Sequence, residues 1–305
     1  MLKKLALAGA LVLGAGGLGF WALTAPASIE PVRLAALPEG NAGRGEAMFW
    51  AGGCASCHAA PGASGLDKLK LGGGLRLETP FGVFVAPNIS PDIETGIGSW
   101  TLPDFANAML AGISPEGEHY YPAFPYTSYA RMKDQDISDL FAFLKTLEPV
   151  QGAAPGHELA FPFTLRRGLG LWKLMYLDPG PAVVLQRIDE QLQRGQYLVE
   201  GPGHCGECHT PRDMAGGLKL DQWLAGAKAP VGEGRIPNIT GGERGIGDWS
   251  ESDIAYYLES GFTPSYDSVG GEMVAVQENM ARLTAEDREA IAAYLKAIPA
   301  HAQGQ

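Results

Sequence analysis

Residues 205–209 read Cys205-Gly206-Glu207-Cys208-His209, and residues 54–58 read Cys54-Ala55-Ser56-Cys57-His58. Two thiols three residues apart, followed at once by an imidazole, are typical of c-type haem attachment, in which the thiols form thioethers and the histidine ligates the iron. The chain has four cysteines, and the two motifs contain all of them. The sequence therefore predicts two covalently bound haem c groups, attached through Cys54, Cys57, Cys205 and Cys208 and ligated by His58 and His209.

Three other kinds of site use Cys-x-x-Cys pairs. They are a redox dithiol, a zinc site with four thiolate ligands, and a pair of structural disulfides. None of them requires a histidine directly after each second cysteine. The repeated histidine therefore favours haem attachment over all three.

Composition and charge narrow the class of protein. At 305 residues the chain is long enough for two ordinary domains, and 46% hydrophobic residues with 19% charged residues are typical of a globular protein. The formal net charge of −11 argues against a nucleic-acid partner, because phosphate binding needs clustered lysine and arginine. It favours a partner with a basic patch, although acidity also simply keeps proteins soluble.

The amino terminus has the pattern of a membrane segment. Lys3 and Lys4 precede an uncharged, mostly apolar run over residues 5–24, which is about the length needed to span a bilayer. We predict that residues 1–27 form a transmembrane anchor or a signal peptide, with the anchor favoured because the run is longer than an ordinary signal. The lysines would keep this end in the cytoplasm and place the rest on the periplasmic side of a bacterial inner membrane. Whether the segment is cleaved is left open.

The chain repeats itself at an offset of close to 150 residues. Each half has an Arg-Gly pair before its motif, a Pro-Asn-Ile block after it and a Gly-Ile-Gly-x-Trp block further on. In the first half these blocks are residues 44–45, 87–89 and 96–100, and in the second half they are residues 194–195, 237–239 and 245–249. Each half then ends in a helix with apolar residues on one face, around Phe143 and around Tyr294. The repeat indicates a duplicated domain.

A helix entering the motif, a long loop, a middle helix and a terminal helix are the order of elements in cytochrome c. We therefore predict an all-α fold of two tandem class I cytochrome c domains behind the N-terminal segment. The predicted parts are a linker over 28–41, domain 1 over 42–148, an interdomain linker over 149–190, domain 2 over 191–299 and a tail over 300–305.

Two contacts are expected from this fold. The first and last helices of each domain should cross, with Gly45 and Phe49 near Phe143 in domain 1 and Tyr197 near Tyr294 in domain 2. In the interdomain linker, the apolar stretch containing Leu171, Trp172 and Met175 is expected to pack on the domains rather than on a membrane surface.

Several stretches resemble the cytochrome c subunits of membrane-bound alcohol, gluconate and aldehyde dehydrogenases. They are residues 203–212 around the second motif, the Pro-Asn-Ile and Thr-Gly-Ile-Gly-Ser-Trp blocks, and His119-Tyr120-Tyr121-Pro122-Ala123-Phe124-Pro125-Tyr126. The resemblance covers roughly residues 42–299. It implies transfer of electrons from a periplasmic dehydrogenase to ubiquinone or a terminal oxidase. The well-known members carry three haems, whereas this chain has two motifs.

The distal iron ligands follow less directly from the sequence. Met273 lies about ten residues before the last helix, where a cytochrome c usually supplies its methionine, and is predicted for the second haem. In the first half the family position for methionine is Phe124, which cannot ligate iron. Met132 is ranked first there, His119 second, and an iron with no distal protein ligand third.

The predicted function is that of an exported dihaem cytochrome c carrying single electrons. A periplasmic dehydrogenase or a quinol-oxidising complex would supply the electrons, and a terminal oxidase or a soluble cytochrome would receive them. The alternative is a haem enzyme, either a peroxidase or a sulfur-compound dehydrogenase, that reacts at the first haem.

Overall fold

The computed structural model describes residues 2–186, 189–229, 234–242 and 244–302. Met1, residues 187–188 of the predicted linker and residues 303–305 of the predicted tail lie outside this description. The described chain is mostly helical, as the sequence predicts. Among the described residues, no helix combines the length and the apolar character needed to cross a membrane.

The first half of the chain consists of one long N-terminal helix followed by short helices. The α-helices are α1 (Leu2–Leu23), α2 (Pro31–Ala35), α3 (Ala42–Ala51), α4 (Cys54–His58), α5 (Leu102–Ala106), α6 (Tyr126–Tyr129) and α7 (Asp134–Leu144). A 3-10 turn lies at Gly65–Leu69, and a π-helical turn at Asn107–Ala111 continues α5. Helix α5 begins with a capping box, in which Thr101 and Asp104 each accept a hydrogen bond from the other's backbone.

The linker and the second half repeat this order. Their α-helices are α8 (Leu169–Tyr176), α9 (Glu190–Glu200), α10 (Gly206–His209), α11 (Glu251–Ser260), α12 (Met273–Met280) and α13 (Ala285–Ala297), with 3-10 turns at Arg166–Gly168 and Leu220–Gln222. Helix α11 begins with the same capping box as α5, formed by Ser250 and Asp253.

Small sheets are the departure from the predicted all-α fold. Strands β1 (Arg76–Thr79) and β2 (Gly82–Val85) form an antiparallel hairpin in the long loop of the first half, and β3 (Glu158–Leu159) from the linker pairs with β2. In the second half β4 (Ala227–Lys228) pairs with β5 (Arg235–Ile236). These strands are too short to show a sequence period, which explains why the pattern analysis missed them.

The predicted crossing of the first and last helices is confirmed in the first half. A Cβ atom added at Gly45 would lie 1.9 Å from the carbonyl oxygen of Asp139 and 2.8 Å from the Cβ of Phe143. The rings of Phe49 and Phe143 are 5.2 Å apart between centroids. Only a residue without a side chain allows α3 and α7 to approach this closely.

The corresponding prediction for the second half is wrong in one residue. Gly195, not Tyr197, meets Tyr294, since a Cβ atom added at Gly195 would lie 2.9 Å from the Cβ of Tyr294. Two residues turn an α-helix by about 200°, so Tyr197 lies on the other side of α9. Its hydroxyl donates to Asp136 of the first half instead.

The linker packs on both halves through Trp172, whose ring centroid is 6.3 Å from that of Tyr126 in the first half, so the packing prediction is confirmed for Trp172 but is wrong for Leu171 and Met175. The indole nitrogen of Trp172 donates to the carbonyl oxygen of Ala215 at 2.9 Å, and the hydroxyl of Tyr176 donates to Asp213 at 2.6 Å. Leu171 and Met175 remain exposed. The segment after α1 is held on the same linker, because Thr24 is buried against Gly170.

Candidate haem-binding site

Each Cys-x-x-Cys-His motif forms a short helix directly after the first long helix of its half. Helix α4 follows α3 after Gly52 and Gly53, and α10 follows α9 after a turn at 201–205. None of the four cysteines is paired in a disulfide. Burial raises the pKa of Cys54 and Cys205 to about 12 and that of Cys57 to about 11, which keeps these thiols protonated at neutral pH.

The described residues do not form a zinc site with four thiolate ligands. Within the described parts of the chain, no three or more histidine, cysteine, aspartate or glutamate side chains are grouped as the ligands of a metal ion would be.

The two motif histidines are oriented by the same backbone contact. Nδ1 of His58 lies 2.8 Å from the carbonyl oxygen of Pro87, and Nδ1 of His209 lies 2.8 Å from that of Pro237. A carbonyl can only accept, so Nδ1 carries the proton and Nε2 keeps its lone pair. Burial lowers the pKa of both imidazoles, which keeps them neutral. A neutral imidazole with a free Nε2 is the form that ligates iron, and the residues present therefore fit a c-type haem.

The repeated Pro-Asn-Ile block explains how those carbonyls are held. The side-chain oxygen of Asn88 accepts from the backbone of Ser90 at 2.9 Å, while its amide nitrogen donates to the carbonyl of Val150 at 2.6 Å. In the second half Asn238 accepts from Thr240 at 2.8 Å and donates to the carbonyl of His301 at 2.9 Å. Each asparagine thus ties the proline turn to the chain after the last helix. The repeat is visible in the sequence, whereas this positioning role depends on contacts between distant residues.

The candidate distal ligands have different surroundings. Met273 is the first residue of α12 and is partly buried against the hydrophobic core. Met132 is buried in the turn before α7, where its backbone nitrogen donates to the carbonyl of Tyr129 at 2.8 Å. The choice of distal ligands stays a prediction.

His119 is buried against the N-terminal segment. Its Nε2 lies 3.0 Å from the carbonyl oxygen of Thr24, and its buried Nδ1 has no hydrogen-bond partner among the described residues. A nitrogen that donates to a carbonyl has no lone pair for iron. The buried Nδ1 keeps its lone pair, so Met132 and His119 both stay candidates for the distal ligand of the first haem.

The two motifs lie against each other. Ser128 and Thr127 of α6 each donate a hydrogen bond of 2.9 Å to Glu207, the third residue of the second motif. In return, the amide of Asn279 on α12 donates at 2.8 Å to the hydroxyl of Ser56, the third residue of the first motif. Each half therefore contacts the haem motif of the other.

Further contacts confirm how close the motifs are. The carbonyl oxygen of Gly52, just before the first motif, lies 3.2 Å from the hydroxyl of Tyr129 and 3.2 Å from Nε2 of His204 in the second half. Burial is the largest cause of the raised pKa of Cys57, and electrostatic interaction with Cys208 is the second largest.

A buried negative charge lies at this junction. Burial alone would raise the pKa of Glu207, but the attraction of Arg212 and the hydrogen bonds from Arg212 and Ser128 outweigh it and hold that pKa below its ordinary value. A guanidinium nitrogen of Arg212 lies 2.5 Å from the Glu207 carboxylate. Glu207 is therefore ionised between the two motifs at neutral pH.

Comparison with known proteins agrees with this geometry. The cytochrome c family model matches residues 42–148. A dihaem c-type cytochrome of Cereibacter sphaeroides is 56% identical over 292 residues, which cover 95% of this chain and 96% of that protein. The fructose dehydrogenase cytochrome subunit of Gluconobacter japonicus and the cytochrome c subunit of a quinone alcohol dehydrogenase of Gluconobacter oxydans are each 37% identical, over 85% and 86% of this chain.

The fold and the site define a c-type cytochrome. The chain belongs to the dihaem members of the cytochrome c family, and it carries two covalently bound haem c groups. It spans about half the length of the two dehydrogenase subunits, 53% and 55% respectively, so it matches part of those proteins only.

Proposed function

We propose that the protein is an electron-transfer subunit that receives single electrons from a periplasmic dehydrogenase and passes them towards a terminal oxidase. The observation that carries this proposal is the reciprocal contact of the two motifs, Ser128 with Glu207 and Asn279 with Ser56. Two redox groups attached at adjoining motifs suit an internal relay better than two independent sites.

Each haem, when bound, supplies a one-electron couple at its iron. The chain's own residues do the rest. Cys54, Cys57, Cys205 and Cys208 would hold the two groups covalently. The carbonyls of Pro87 and Pro237 keep the Nε2 atoms of His58 and His209 available, and Met273 and Met132 are the proposed distal ligands.

The proposed partner rests on the relatives. Fructose, alcohol and gluconate dehydrogenases each have a cytochrome subunit that is 36–37% identical to this chain. A dehydrogenase as electron donor is therefore the proposal that the comparisons support, and the oxidase as acceptor follows from the sequence resemblance. Attachment to the membrane through residues 1–27 and a periplasmic location are further parts of the proposal.

The number of haems and the reversibility of their reduction test the function. We expect a pyridine haemochrome assay to count two haems per chain in the wild type and one in the Cys54→Ala, Cys57→Ala double variant. We also expect potentiometric titration of the wild type to give two reversible one-electron steps. Peroxide turnover by the reduced protein at a rate typical of enzymes would instead support the haem enzyme.

Location is tested separately. We expect the full chain to fractionate with membranes and a chain lacking residues 1–27, exported by a cleavable signal, to be recovered in the periplasmic fraction. Recovery of the full chain in the soluble periplasmic fraction would contradict the anchor and leave the electron-transfer proposal intact.

A further inference from the structure

The middle helix of each half leads into a tight hairpin of the same geometry. Residues 113–119 and 262–268 each form one antiparallel bridge, between Ile113 and His119 and between Phe262 and Ser268. The internal hydrogen bonds also correspond, because Ser114 donates to the carbonyl of Glu118 and Thr263 donates to that of Asp267, both at 2.9 Å. The two hairpins are therefore equivalent residue by residue at an offset of 149.

In the first half the linker covers the base of this hairpin, and residues 115–118 at its tip are exposed. Ile113 and His119 are each only 2% exposed. The ammonium group of Lys173 donates to the carbonyl oxygens of Ala111 and Gly112, just before the hairpin, at 2.7 Å each.

The covering segment is positively charged and lies beside a carboxylate of the hairpin. Residues 159–177 contain Arg166, Arg167 and Lys173, and no aspartate or glutamate. Arg166 donates to the carbonyl of His119 at 3.0 Å and lies 3.7 Å from the Glu118 carboxylate. A cationic, apolar segment is thus the kind of surface that covers the base of this hairpin.

The hairpin of the second half is exposed and lies in an acidic region. Phe262 is 44% exposed, and Tyr266 is 86% exposed. Residues 251–281 contain six aspartates and glutamates and no lysine, arginine or histidine. Arg288 and Lys68 pair with two of these carboxylates, Glu259 and Glu278. The charge and the exposed aromatic rings fit a partner that is cationic and apolar.

Tyr266 adds an independent observation. It has a φ of 64°, in the left-handed region that side chains disfavour. The equivalent residue of the first hairpin is Gly117, with a φ of 78°. A tyrosine held in a glycine conformation with its ring in solvent does not serve the fold, and strain of this kind marks functional positions.

The exposed hairpin also leads directly to residues of the haem site. Helix α12 begins five residues after it, at Met273, the proposed distal ligand. The amide of Asn279 on the same helix donates at 2.8 Å to the hydroxyl of Ser56 in the first motif. A protein bound at this hairpin would therefore lie close to a redox group.

We propose that hairpin 262–268 is the docking surface for a redox partner protein with a cationic, apolar face. The partner would fill the position that residues 159–177 fill in the first half, with a basic side chain at Asp267 as Arg166 lies at Glu118. This inference rests on the proposed electron-transfer function and names the surface that serves it.

The test uses the full chain with both haems and a lysine-rich small cytochrome c of mitochondrial type as the probe. Stopped-flow electron transfer from the reduced protein is measured at low and high salt. We expect Asp267→Lys to slow the reaction about tenfold at low salt and to flatten its salt dependence, because steering by opposite charge is lost. Asp221→Lys is the matched control, since it makes the same charge change at an exposed site elsewhere in the same half.

Tyr266→Gly separates docking from folding. Glycine adopts a positive φ without strain, so we expect this variant to have a Tm equal to or above that of the wild type while its electron transfer is severalfold slower. Wild-type rates in both Tyr266→Gly and Asp267→Lys would overturn the proposal. So would binding to anionic phospholipid vesicles that Tyr266→Gly abolishes, because the surface would then belong to a membrane.

The proposed function can fail separately from the docking surface. A wild type that is reversibly reduced by dithionite but transfers no electrons to the basic probe overturns the docking surface alone. A wild type without reversible one-electron steps overturns the electron-transfer function itself.

Discussion

The hydroxyl of Ser128 lies 2.9 Å from a carboxylate oxygen of Glu207, the third residue of the Cys-x-x-Cys-His motif in the opposite half. Asn279 stands 151 residues after Ser128 and makes the reciprocal contact, at 2.8 Å, to Ser56 in the first motif. Ser56 and Glu207 are themselves 151 residues apart. The halves are therefore related by an approximate twofold exchange, with the two motifs at its centre.

Glu207 places a negative charge at this centre, and we expect it to lower the reduction potential of the second haem. A buried anion stabilises the oxidised, more positive iron. At an effective dielectric constant of about 20 such an interaction amounts to about 1–2 kcal/mol. In a one-electron couple this corresponds to roughly 40–90 mV. Glu207→Gln should raise the potential of one haem by this amount in a spectroelectrochemical titration.

The control for Glu207→Gln is Glu289→Gln, which neutralises an exposed carboxylate on α13. We expect that variant to change neither potential measurably, because solvent screens exposed charges. A potential that falls, or stays unchanged, in Glu207→Gln would contradict the electrostatic role. Equal shifts in the two variants would show a general effect of net charge instead.

Much of this site could be predicted from the sequence, because its chemistry is local. The Cys-x-x-Cys-His spacing alone predicts which residues attach the haems, and the repeat at 150 residues indicates the duplication. The contact between the two halves has no comparable signal in the sequence. It depends on single polar residues, Ser128 and Asn279, that follow no periodic pattern and differ from each other.

The errors have the same origin. The hairpin of β1 and β2 and the orientation of Tyr197 depend on neighbours far along the chain. The surroundings of His119, which stays a candidate ligand, likewise depend on Thr24, 95 residues earlier. Contacts over such separations are set by tertiary packing, which single-sequence patterns do not contain.

Close packing of α3 on α7 makes Gly45 sensitive to substitution. A methyl group there would meet the backbone of Asp139 at 1.9 Å, so one of the helices must move. We expect Gly45→Ala to lower the free energy of unfolding by about 1–3 kcal/mol or more, as overpacked cores do. Urea denaturation followed by far-UV circular dichroism measures this change.

Gly168→Ala provides the comparison for Gly45→Ala. Gly168 has a helical φ of −59°, and a Cβ atom added there would have no neighbour within 4 Å. We expect a change within about 0.5 kcal/mol for this exposed position. If both alanine variants unfold at the same urea concentration, the close crossing of α3 and α7 is refuted.

Asp139 should contribute to the acid sensitivity of the first half. Burial would raise its pKa, but Arg44, at 2.6 Å, and hydrogen bonds from Asn41 and Gln135 outweigh burial and lower it. The folded protein therefore binds fewer protons here than the unfolded chain. This stabilisation is complete above the unfolded pKa of about 3.9 and is lost as the pH falls through the lower folded value.

The variant Asp139→Asn tests this pH dependence. We expect it to be less stable than the wild type at pH 7 by about 1–3 kcal/mol, because the charged hydrogen bonds to Arg44 are lost. We also expect the difference to shrink as the pH is lowered below about 4. The free energy of unfolding is measured by urea titration at a series of pH values. A difference that stays constant over this range would show that the Asp139 carboxylate is not the titrating group.

The distal ligands are tested by replacing each methionine in the full chain with both haems. A methionine ligand gives the oxidised haem a charge-transfer absorption in the near infrared and a higher potential than a histidine ligand. We expect two such bands in the wild type, one of which is lost in Met273→Ala and the other in Met132→Ala. Met109→Ala is the matched control, because Met109 is also buried in the core and is not a proposed ligand.

Loss of stability must be separated from loss of ligation in these variants. Truncation of a buried methionine costs about 2–5 kcal/mol, so Met132→Ala and Met109→Ala should be destabilised alike. Only the ligand variant should also lose its band and change the spin state of one haem, as read by low-temperature EPR. If Met132→Ala keeps both bands, Met132 does not ligate the first iron. A single band in the wild type with a second low-spin signal would assign that position to histidine, with His119 as the candidate.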